Sequence, residues 1–434
     1  MLSAARFLMV LGLVLSAGML SPAHADHAPI TGLPEESIAS SLPYDAARAS
    51  LCAAGITYGL NYTGEYYNVT SGGLSRGSTF NGIVEAFTDL DLEKIIGWKG
   101  GTVHANVYYI HGEGPTTKRI GNIFAVTNIE GLETLRLDEL WFEQALLDDK
   151  LKVKLGAIAA DTEFFISETA GGFLNGTFGW AGIVASNMVQ GGPAYPLTSM
   201  GVRVQFAPTE NLTILAAVFN GSPANPFADD PQRDNRHGTD FRFGDGELLL
   251  VEGLFKYDVG LPGTIKLGGW RQFNDDGEYV DFRTGDTVSG SDGLYAIVDQ
   301  QVWKKSDNQS VNVFGRISGS PDKQNVIDFY FDTGIVFTGF VPGRSKDSFG
   351  AAFGYGRISD AYSDNNPTGV GSNVFATGES VLEINYTAQI MPGVTVIPDF
   401  QYIWNPGGKV AIDDTTSKVV EDAAVFAVRA KVSY

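Results

Sequence analysis

The sequence predicts an all-β fold, a single 16-stranded antiparallel transmembrane β-barrel with short turns at one end and long loops at the other. Three observations support this fold class: an alternating strand at the carboxyl end, an export signal at the amino end, and connections of two lengths that alternate along the chain. Together they indicate a chain that leaves the cytoplasm and crosses a membrane with strands.

The segment from Val425 to Tyr434 alternates with a period of two. Phe426 and Tyr434 share an apolar face, whereas Arg429 and Lys431 lie on the other face. Barrels of the bacterial outer membrane have strands of this kind, with apolar residues toward lipid and polar residues toward the lumen. We therefore expect a barrel strand here, with Phe426 and Tyr434 as the signal that the barrel-assembly machinery reads during insertion.

The first residues have the pattern of a secretory signal peptide. Arg6 precedes an apolar stretch from Phe7 to Leu20, and Ala23-His24-Ala25 supplies a small-residue cleavage site. The apolar stretch is shorter than the ~20 residues that a membrane-spanning helix needs. The predicted divisions are a signal peptide (1–25), a short periplasmic segment (26–54) and a barrel domain (55–434).

Composition narrows the class of protein. The 434 residues include 53 Gly, 27 Phe and 17 Tyr, and the mean hydropathy is -0.01. After the signal peptide, no apolar run reaches the length of a spanning helix, so a chain that crosses lipid must do so as a closed barrel. The net charge of -20 argues against nucleic acid as a partner. A single cysteine excludes an intramolecular disulfide. We expect no cofactor and no metal.

Alternation between turn signals predicts sixteen strands. They lie at 56–70, 79–94, 101–112, 133–147, 150–160, 199–207, 211–220, 247–258, 263–273, 293–304, 309–319, 325–339, 347–358, 379–390, 394–404 and 422–434. Compact joints follow even-numbered strands, and long loops follow most odd-numbered ones, although the joint at 320–325 is short. A soluble sandwich has no reason to sort its loops in this way. Sixteen strands would leave a water-filled channel.

Residues that alternate with lipid-facing apolar ones should face the water inside the barrel. On the fourth strand this rule gives two answers, because Leu140 and Phe142 place Glu139 inward, whereas Leu135 and Leu137 place it outward. In the alternative interpretation, the inward residues pair with one another and select no solute. The candidates for lining the channel and contacting a solute inside it are Glu85, Asp89, Glu139, Lys154, Arg203, Trp270, Arg316, Asp328, Glu383, Asp399 and Arg429.

The long loop at 161–198 is the candidate for narrowing the channel. In large porins the third exterior loop often folds inward, and this loop contains several aromatic residues among glycines. Phe173, Phe178 and Trp180 are the constriction candidates. A cap over the mouth of the barrel is the alternative.

Several segments resemble one known family. Residues 379–408 read ESVLEINYTAQIMPGVTVIPDFQYIWNPGG, which is similar to the penultimate hairpin of the carbohydrate-selective porin family (OprB type). RLDELWFEQ at 136–144, P-G-R-x-x-D at 342–347, and Gly-Leu-Tyr at 293–295 with Asp-Gln at 299–300 agree with it. The resemblance covers roughly residues 51–434.

The resemblance implies a passive channel in the outer membrane of a Gram-negative bacterium. Sugars and other small hydrophilic solutes would pass through it, and outer-membrane lipid and lipopolysaccharide would surround it. Monomer and trimer both stay open. The fifth strand, KLKVKLGAIAAD, departs from the family, where a more Arg-rich inner face is expected. The preferred solute is therefore not implied, and a general diffusion porin is the main alternative.

Two further hypotheses concern the loops. Residues 73–77 fit the letters of a G-x-S-x-G elbow, so an outer-membrane hydrolase would use Ser75 with His237, although the motif needs a strand-to-helix turn and lies in a predicted hairpin. Acidic clusters at 229–240 and 274–278 could hold calcium, because oxygen-rich runs suit hard cations. Solvated exterior loops are the simpler interpretation of both clusters.

Overall fold

The computed structural model describes residues 37–38, 46–273 and 277–434. The predicted signal peptide and residues 274–276 of one acidic cluster lie outside the described residues. Helix α1 (Ala46–Ala53) precedes the first strand. The guanidinium of Arg48 on α1 lies 5.3 Å from the ring centroids of both Tyr58 and Tyr434. The helix therefore rests against the seam where the first and last strands meet.

Sixteen antiparallel strands follow, one for each predicted strand. Their bounds are β1 (Ile56–Gly73), β2 (Gly77–Asp91), β3 (Gly101–Gly112), β4 (Thr134–Leu146), β5 (Leu151–Ile158), β6 (Ser199–Thr209), β7 (Leu212–Asn220), β8 (Glu247–Asp258), β9 (Pro262–Phe273), β10 (Ser291–Ser306), β11 (Gln309–Gly319), β12 (Ile327–Thr338), β13 (Ser348–Ile358), β14 (Gly378–Met391), β15 (Val394–Trp404) and β16 (Glu421–Ser433). Each pairs with its sequence neighbours and β1 pairs with β16, so the sheet is a closed barrel. The predicted fold class is confirmed.

The period-two alternation separates an outer from an inner face on each strand. On β16, Phe426 is 53% exposed, whereas its neighbour Val425 is fully buried. Phe426 packs on Phe400 of β15, with 4.9 Å between the ring centroids. Closure pairs the backbone groups of every strand, as lipid requires, and the exposed apolar rows form the surface that lipid contacts.

Short helices and helical turns occur in the connections. The helices are α2 (Leu92–Ile96), α3 (Gly176–Gly179), α4 (Gly182–Asn187), α5 (Pro231–Asp234), α6 (Asp360–Asn365) and α7 (Pro406–Lys409), and the tighter or wider helical turns are Thr116–Ile120, Ala160–Thr162, Thr169–Gly172 and Val189–Gly191. Within the described ranges, no helix is long and apolar enough to span a membrane.

The second strand ends earlier than predicted, at Asp91 rather than at residue 94. The Asp91 side chain accepts hydrogen bonds from the backbone N–H groups of Glu93 and Lys94, at 3.1 and 3.3 Å. A carboxylate in this position caps a helix. It therefore starts α2 where the apolar pattern alone suggested that the strand continued.

The connections are sorted by length as predicted, except that two exterior joints are short where one was expected. Joints after even-numbered strands are short, and the exterior joint after β11 (320–326) is the short exception that was expected. The joint between β1 and β2 is also short (74–76), although residues 71–78 were predicted to be a loop. The difference arises because Ser71 and Gly73 still pair with β16 across an irregular register.

A β-bulge in β4 explains why alternation gave two answers there. Between positions 105 and 107 of β3, the paired position on β4 changes from 140 to 137, so β4 carries one extra residue. An extra residue reverses the alternation beyond it. Leu135 and Leu140 consequently both face outward and are exposed, whereas Arg136 and Glu139 both face inward and are buried. Each interpretation held for one half of the strand.

Two exterior loops, L2 (113–133) and L3 (159–198), fold into the barrel and give its interior an apolar core. Phe173 and Phe178 of L3 pack on the inward-facing Phe314 of β11, with centroid distances of 6.0 and 6.3 Å. Inward-facing Leu248 and Leu250 of β8 belong to the same buried cluster. L3 thus lies inside the barrel instead of capping its mouth.

Glycines on β13 make room for both loops. A Cβ atom at Gly350 would lie 2.9 Å from the ring of Phe173, and one at Gly356 would lie 2.7 Å from the ring of Phe124 on L2. Atoms cannot approach that closely without displacement. The glycines therefore allow the two rings to lie directly on the wall.

Candidate functional site: the channel lumen

Arg316 fastens L3 to the wall. Its side chain is buried and donates hydrogen bonds to the carbonyl oxygens of Phe165, Thr177 and Gly179, at 2.9, 2.8 and 2.9 Å. Its Nε lies 3.0 Å from Oδ1 of Asp332 on β12. Guanidinium offers five donors in a fixed plane, which suits one residue to hold several carbonyl groups at once. Arg316 is thus an anchor of the loop.

Two carboxylates on β14 hold backbone N–H groups of the two loops. Glu383 accepts hydrogen bonds from the N–H groups of residues 174 and 175 of L3, at 2.7 and 2.8 Å. Glu379 accepts from the N–H groups of residues 123 and 124 of L2, at 2.8 and 2.7 Å. Hydrogen bonds to a charged acceptor are among the stronger ones in proteins. One strand therefore positions both loops.

L2 and L3 are also bonded to each other. The N–H of Gly176 donates to the carbonyl of Ala125 at 2.7 Å, and the N–H of Asn128 donates to the carbonyl of Leu174 at 2.8 Å. The loops form one unit across the lumen, so a displacement of one disturbs the other.

The seam between β1 and β16 holds L2 through a buried ion pair. Glu65 of β1 and Arg429 of β16 form a close ion pair, and their backbones are directly opposite each other. Thr127 Oγ1 donates to Glu65 at 2.6 Å, and Arg429 also contacts the side chain of Asn128. The same two charges thus bond across the closing strand pair and position the loop.

Near β5 and β6, a second buried charge group holds the start of L3. Lys154 Nζ lies 2.5 Å from Glu163 and 4.1 Å from the centroid of the Trp141 ring. Arg203 pairs with Glu163 and, at 2.9 Å, with Glu143. Burial opposes ionisation of Glu163, yet the adjacent cations Lys154 and Arg203 hold its pKa below the ordinary value. Glu163 therefore stays charged.

The inner face of β2 keeps functional groups in contact with water. Glu85, Phe87 and Asp89 occupy successive inward positions and are partly exposed. Phe87 stacks on His104, 6.2 Å between centroids, and His104 stacks on Trp141 at 4.8 Å. Asp89 Oδ1 lies 2.7 Å from His104 Nδ1. A row of rings therefore crosses β2, β3 and β4 with a carboxylate on each side of Phe87.

The remaining candidates occupy different environments. Trp270 is buried, and its ring lies against Gly293, where an added Cβ would be 2.2 Å from the ring. Trp180 is partly buried and donates from Nε1 to the carbonyl of Gly191 at 3.0 Å. Glu139 accepts from the N–H of Ala159 at 3.0 Å. Asp399 is buried and accepts from Gln401 Nε2 at 3.1 Å.

Asp328 is the candidate that does not point into the lumen. It accepts two hydrogen bonds from Arg357, both 2.8 Å long. Arg357 continues the outward row of Phe353 and Tyr355 on β13, because the alternate positions 350, 354 and 356 contact the inner loops. The register of β12 shifts between residues 327 and 329, which the alternation rule did not anticipate. Asp328 therefore belongs to the outer rim.

Several residues that organise the lumen were not among the candidates. Glu65, Asp332 and Glu379 lie at inward strand positions, so the alternation rule could have identified them. Glu163 lies in a loop, where no periodicity indicates direction. Only its contacts with Lys154 and Arg203 reveal its role.

The residues of the hydrolase hypothesis do not form an elbow. Ser75 lies in the tight turn between β1 and β2, and its Oγ accepts from Arg119 Nη1 at 3.3 Å. His237 lies in the loop between β7 and β8, with Nδ1 2.9 Å from the carbonyl oxygen of Leu135. The turn at Ser75 joins two strands, whereas the nucleophile elbow needs a strand followed by a helix.

The described acidic cluster at 229–240 serves its own loop. Asp230 caps α5 by accepting from the N–H groups of Gln232 and Arg233, at 3.0 and 3.2 Å. Arg242 pairs with Asp245 at 2.8 Å and with Asp240 at 3.4 Å. These carboxylates are engaged by helix capping and ion pairing, which accounts for them without calcium.

Two carboxyl groups in the loops are expected to make loop docking depend on pH. Burial raises the pKa of Glu130 on L2 and of Asp161 on L3 to about 7. Between the ordinary carboxyl pKa and about 7, the docked loops retain protons that an opened loop would release. Docking should therefore weaken as pH rises through this window, by on the order of 3–4 kcal/mol for each group at most.

Hydrogen–deuterium exchange at pH 5 and pH 8, corrected for the intrinsic rate, measures this effect. We expect amides of L2 and L3 to lose protection relative to strand amides at the higher pH. Glu130→Gln and Asp161→Asn together should remove the difference. Equal protection of the loops at both pH values would contradict the expectation.

The closed barrel, its apolar outer face and its charged interior define a class of protein, the outer-membrane porins. Two loops, L2 and L3, fold into the lumen and occupy part of it. The described contacts place no nucleophile beside a base in the arrangement that hydrolysis needs.

Comparison with known proteins agrees with this class. The profile of the carbohydrate-selective porin, OprB family, matches residues 82–434. Porin B of Pseudomonas aeruginosa is 25% identical over 419 residues, covering 87% of this chain and 89% of Porin B. The high-pH structure of Pseudomonas putida OprB superposes with a TM-score of 0.77 at 22% identity, covering 92% of this chain and 99% of that chain. The low-pH structure of the same protein gives 0.56 at 18% identity, with coverages of 90% and 96%.

The chain belongs to the carbohydrate-selective porin family, OprB type. It is an outer-membrane channel of that class and not an enzyme.

Proposed function

We propose that sugars pass along the inner face of β2 and contact Glu85, Phe87 and Asp89. The observation that carries this proposal is a partly exposed ring with an inward carboxylate on each side of it. A sugar has hydroxyl groups that donate to carboxylates and an apolar face that packs on an aromatic ring. The three residues match both features within one strand.

The buried candidates act on the solute indirectly in this proposal. Lys154, Arg203, Arg316, Glu383 and Arg429 are almost fully buried and bonded to L2, L3 or the neighbouring wall. A side chain in that position determines the width and shape of the passage without touching what passes. Trp270 is likewise covered, so Phe87 replaces it as the stacking candidate.

Planar-bilayer conductance of the refolded mature protein tests the function. Stable steps that glucose and maltose reduce, and that a neutral non-sugar solute of similar size leaves unchanged, support selective passage of sugars. Steps that respond equally to all three solutes would indicate a general diffusion porin. A folded barrel without steps would contradict the channel function itself.

Replacement of Phe87 by Leu tests the contact. The variant keeps an apolar side chain but removes the ring, so sugar block should weaken about fivefold, the equivalent of about 1 kcal/mol of aromatic packing. The matched control is Phe329→Leu on β12, because Phe329 shares the outward row of Phe331 and does not face the lumen. Equal sugar block in wild type and Phe87→Leu would show that the solute passes elsewhere.

We also propose that Phe426 and Tyr434 form the signal for the barrel-assembly machinery. Phe426 faces outward, and Tyr434 pairs with Leu60 through two backbone hydrogen bonds of 2.9 and 3.1 Å. These residues therefore lie at the seam between the first and the last strand. Contact with lipopolysaccharide stays a prediction. Monomer and trimer both stay open.

A further inference from the structure

Five of the inward-facing cations hold the structure together. Lys154, Arg203, Arg316 and Arg429 are at most 2% exposed, and each pairs with a carboxylate. Lys266 is buried as well and donates to a carbonyl group of L3 at 2.9 Å. None of these five positive charges is presented to a solute in the lumen.

Carboxylates, in contrast, reach the water of the lumen. The Asp89 side chain is 27% exposed on β2. Glu168 is exposed on L3 between Ser167 and Thr169, both of which bond to Asp299 of β10, at 2.6 and 3.1 Å. The bonds to β10 place Glu168 inside the barrel.

One inward lysine of the described residues is partly exposed. The Lys152 side chain is 18% exposed and lies 4.0 Å from Glu143, which Arg203 also contacts. Lys152 is less exposed than Asp89 of β2, whose side chain is 27% exposed, and than Glu168 of L3, which is exposed.

A second observation concerns two carboxyl oxygens that accept no hydrogen bond from the described residues. Asp138 on the inner face of β4 is buried, and its Oδ1 has no hydrogen-bond partner among the described residues. Oδ1 of Asp161 on L3 also has no hydrogen-bond partner among the described residues. The two carboxyl groups are close enough to interact electrostatically. A carboxyl oxygen without a protein donor can accept a hydrogen bond from water, or from a cationic group once the carboxyl group is ionised.

We propose that this channel prefers cations to anions, and that among sugars it favours neutral and amino sugars over uronates and sugar phosphates. Exposed carboxylates in a narrow passage raise the local concentration of cations and repel anions. Carboxylates that accept from hydroxyl groups also accept from an ammonium, and the latter bond is the stronger. The order among sugars rests on the proposed function, whereas the preference among ions does not.

The reversal potential of single channels in a KCl gradient tests the ion preference. We expect the sign that marks potassium as the more permeant ion, with a severalfold permeability ratio. The double variant Asp89→Asn with Glu168→Gln should move the ratio toward one. Glu210→Gln, which removes an exposed carboxylate from the turn between β6 and β7, is the matched control and should leave the ratio unchanged.

A reversal potential of zero or of the opposite sign in the wild type would overturn the proposal, as would a double variant that behaves like the control. If the double variant does not fold, Glu168→Lys at its exposed loop position replaces it and should reduce the ratio. Liposome swelling in glucosamine, glucose and glucuronate tests the order among sugars. Equal entry of all three would refute that order. Conducting, cation-preferring channels that admit no sugar would refute the proposed function and leave the ion preference standing.

Discussion

Removal of residues 171–189 should raise the single-channel conductance about twofold or more, because this part of L3 fills the lumen beside β11 to β14. Phe173 and Phe178 pack on the inward Phe314, and residues 174 and 175 bond to Glu383. A Gly-Ser linker that joins Ala170 to Gln190 would keep the loop continuous. Planar-bilayer recordings of the refolded variant measure the change.

The matched control shortens an exterior loop that lies away from the lumen. Residues 413–417 of the joint between β15 and β16 are suitable, since most of them are exposed. That deletion should leave the conductance unchanged. If deletion of 171–189 also has no effect, L3 does not limit the current and the passage is narrowed elsewhere.

Replacement of Arg316 by Met should cost about 3–5 kcal/mol of the free energy of unfolding, because it leaves the buried Asp332 without its cation. The same change frees the carbonyl groups of residues 165, 177 and 179, so L3 should also become mobile and the conductance noisier. Denaturant titration in detergent measures the stability. Adding Asp332→Asn to Arg316→Met should restore part of the loss.

Arg357→Gln is the control for this change. Arg357 forms a comparable two-bond pair with Asp328 on the outer rim, where the Arg357 side chain is 55% exposed and that of Asp328 is 10% exposed. Exposed pairs contribute about 0–1 kcal/mol, so the stability should hardly change. A similar loss in both variants would show that the number of bonds, and not burial, determines the contribution.

The barrel could be predicted from the sequence because alternation and turn residues are local signals. Each of the sixteen strands produced the expected element, and the errors lie at their ends, as at Asp91, where a side chain caps a helix. Bulges were the other source of error. The alternation rule assumes a regular strand, so it gave two answers on β4 and the wrong face for Asp328.

The interior was harder to predict because it depends on contacts between distant residues. Alternation shows that Arg316 and Glu383 face inward, but not that loop backbone occupies the space beside them. Gly350 and Gly356 of β13 are a local trace of the loops, but a glycine in a strand has several explanations. The sequence thus indicates which side chains line the barrel, and the loops determine which of them reach water.

The attachment of both loops to β14 has a consequence for how the channel is assembled. Glu379 bonds to the N–H of Phe124, which lies 255 positions earlier in the chain, and Glu383 bonds to that of Leu174, 209 positions earlier. Contacts between such distant residues form late, since the intervening chain must first be ordered. The bonds of both loops to β14 can therefore form only after β14 has joined the wall. We expect L2 and L3 to reach their final positions late in assembly, after most of the wall against which they pack.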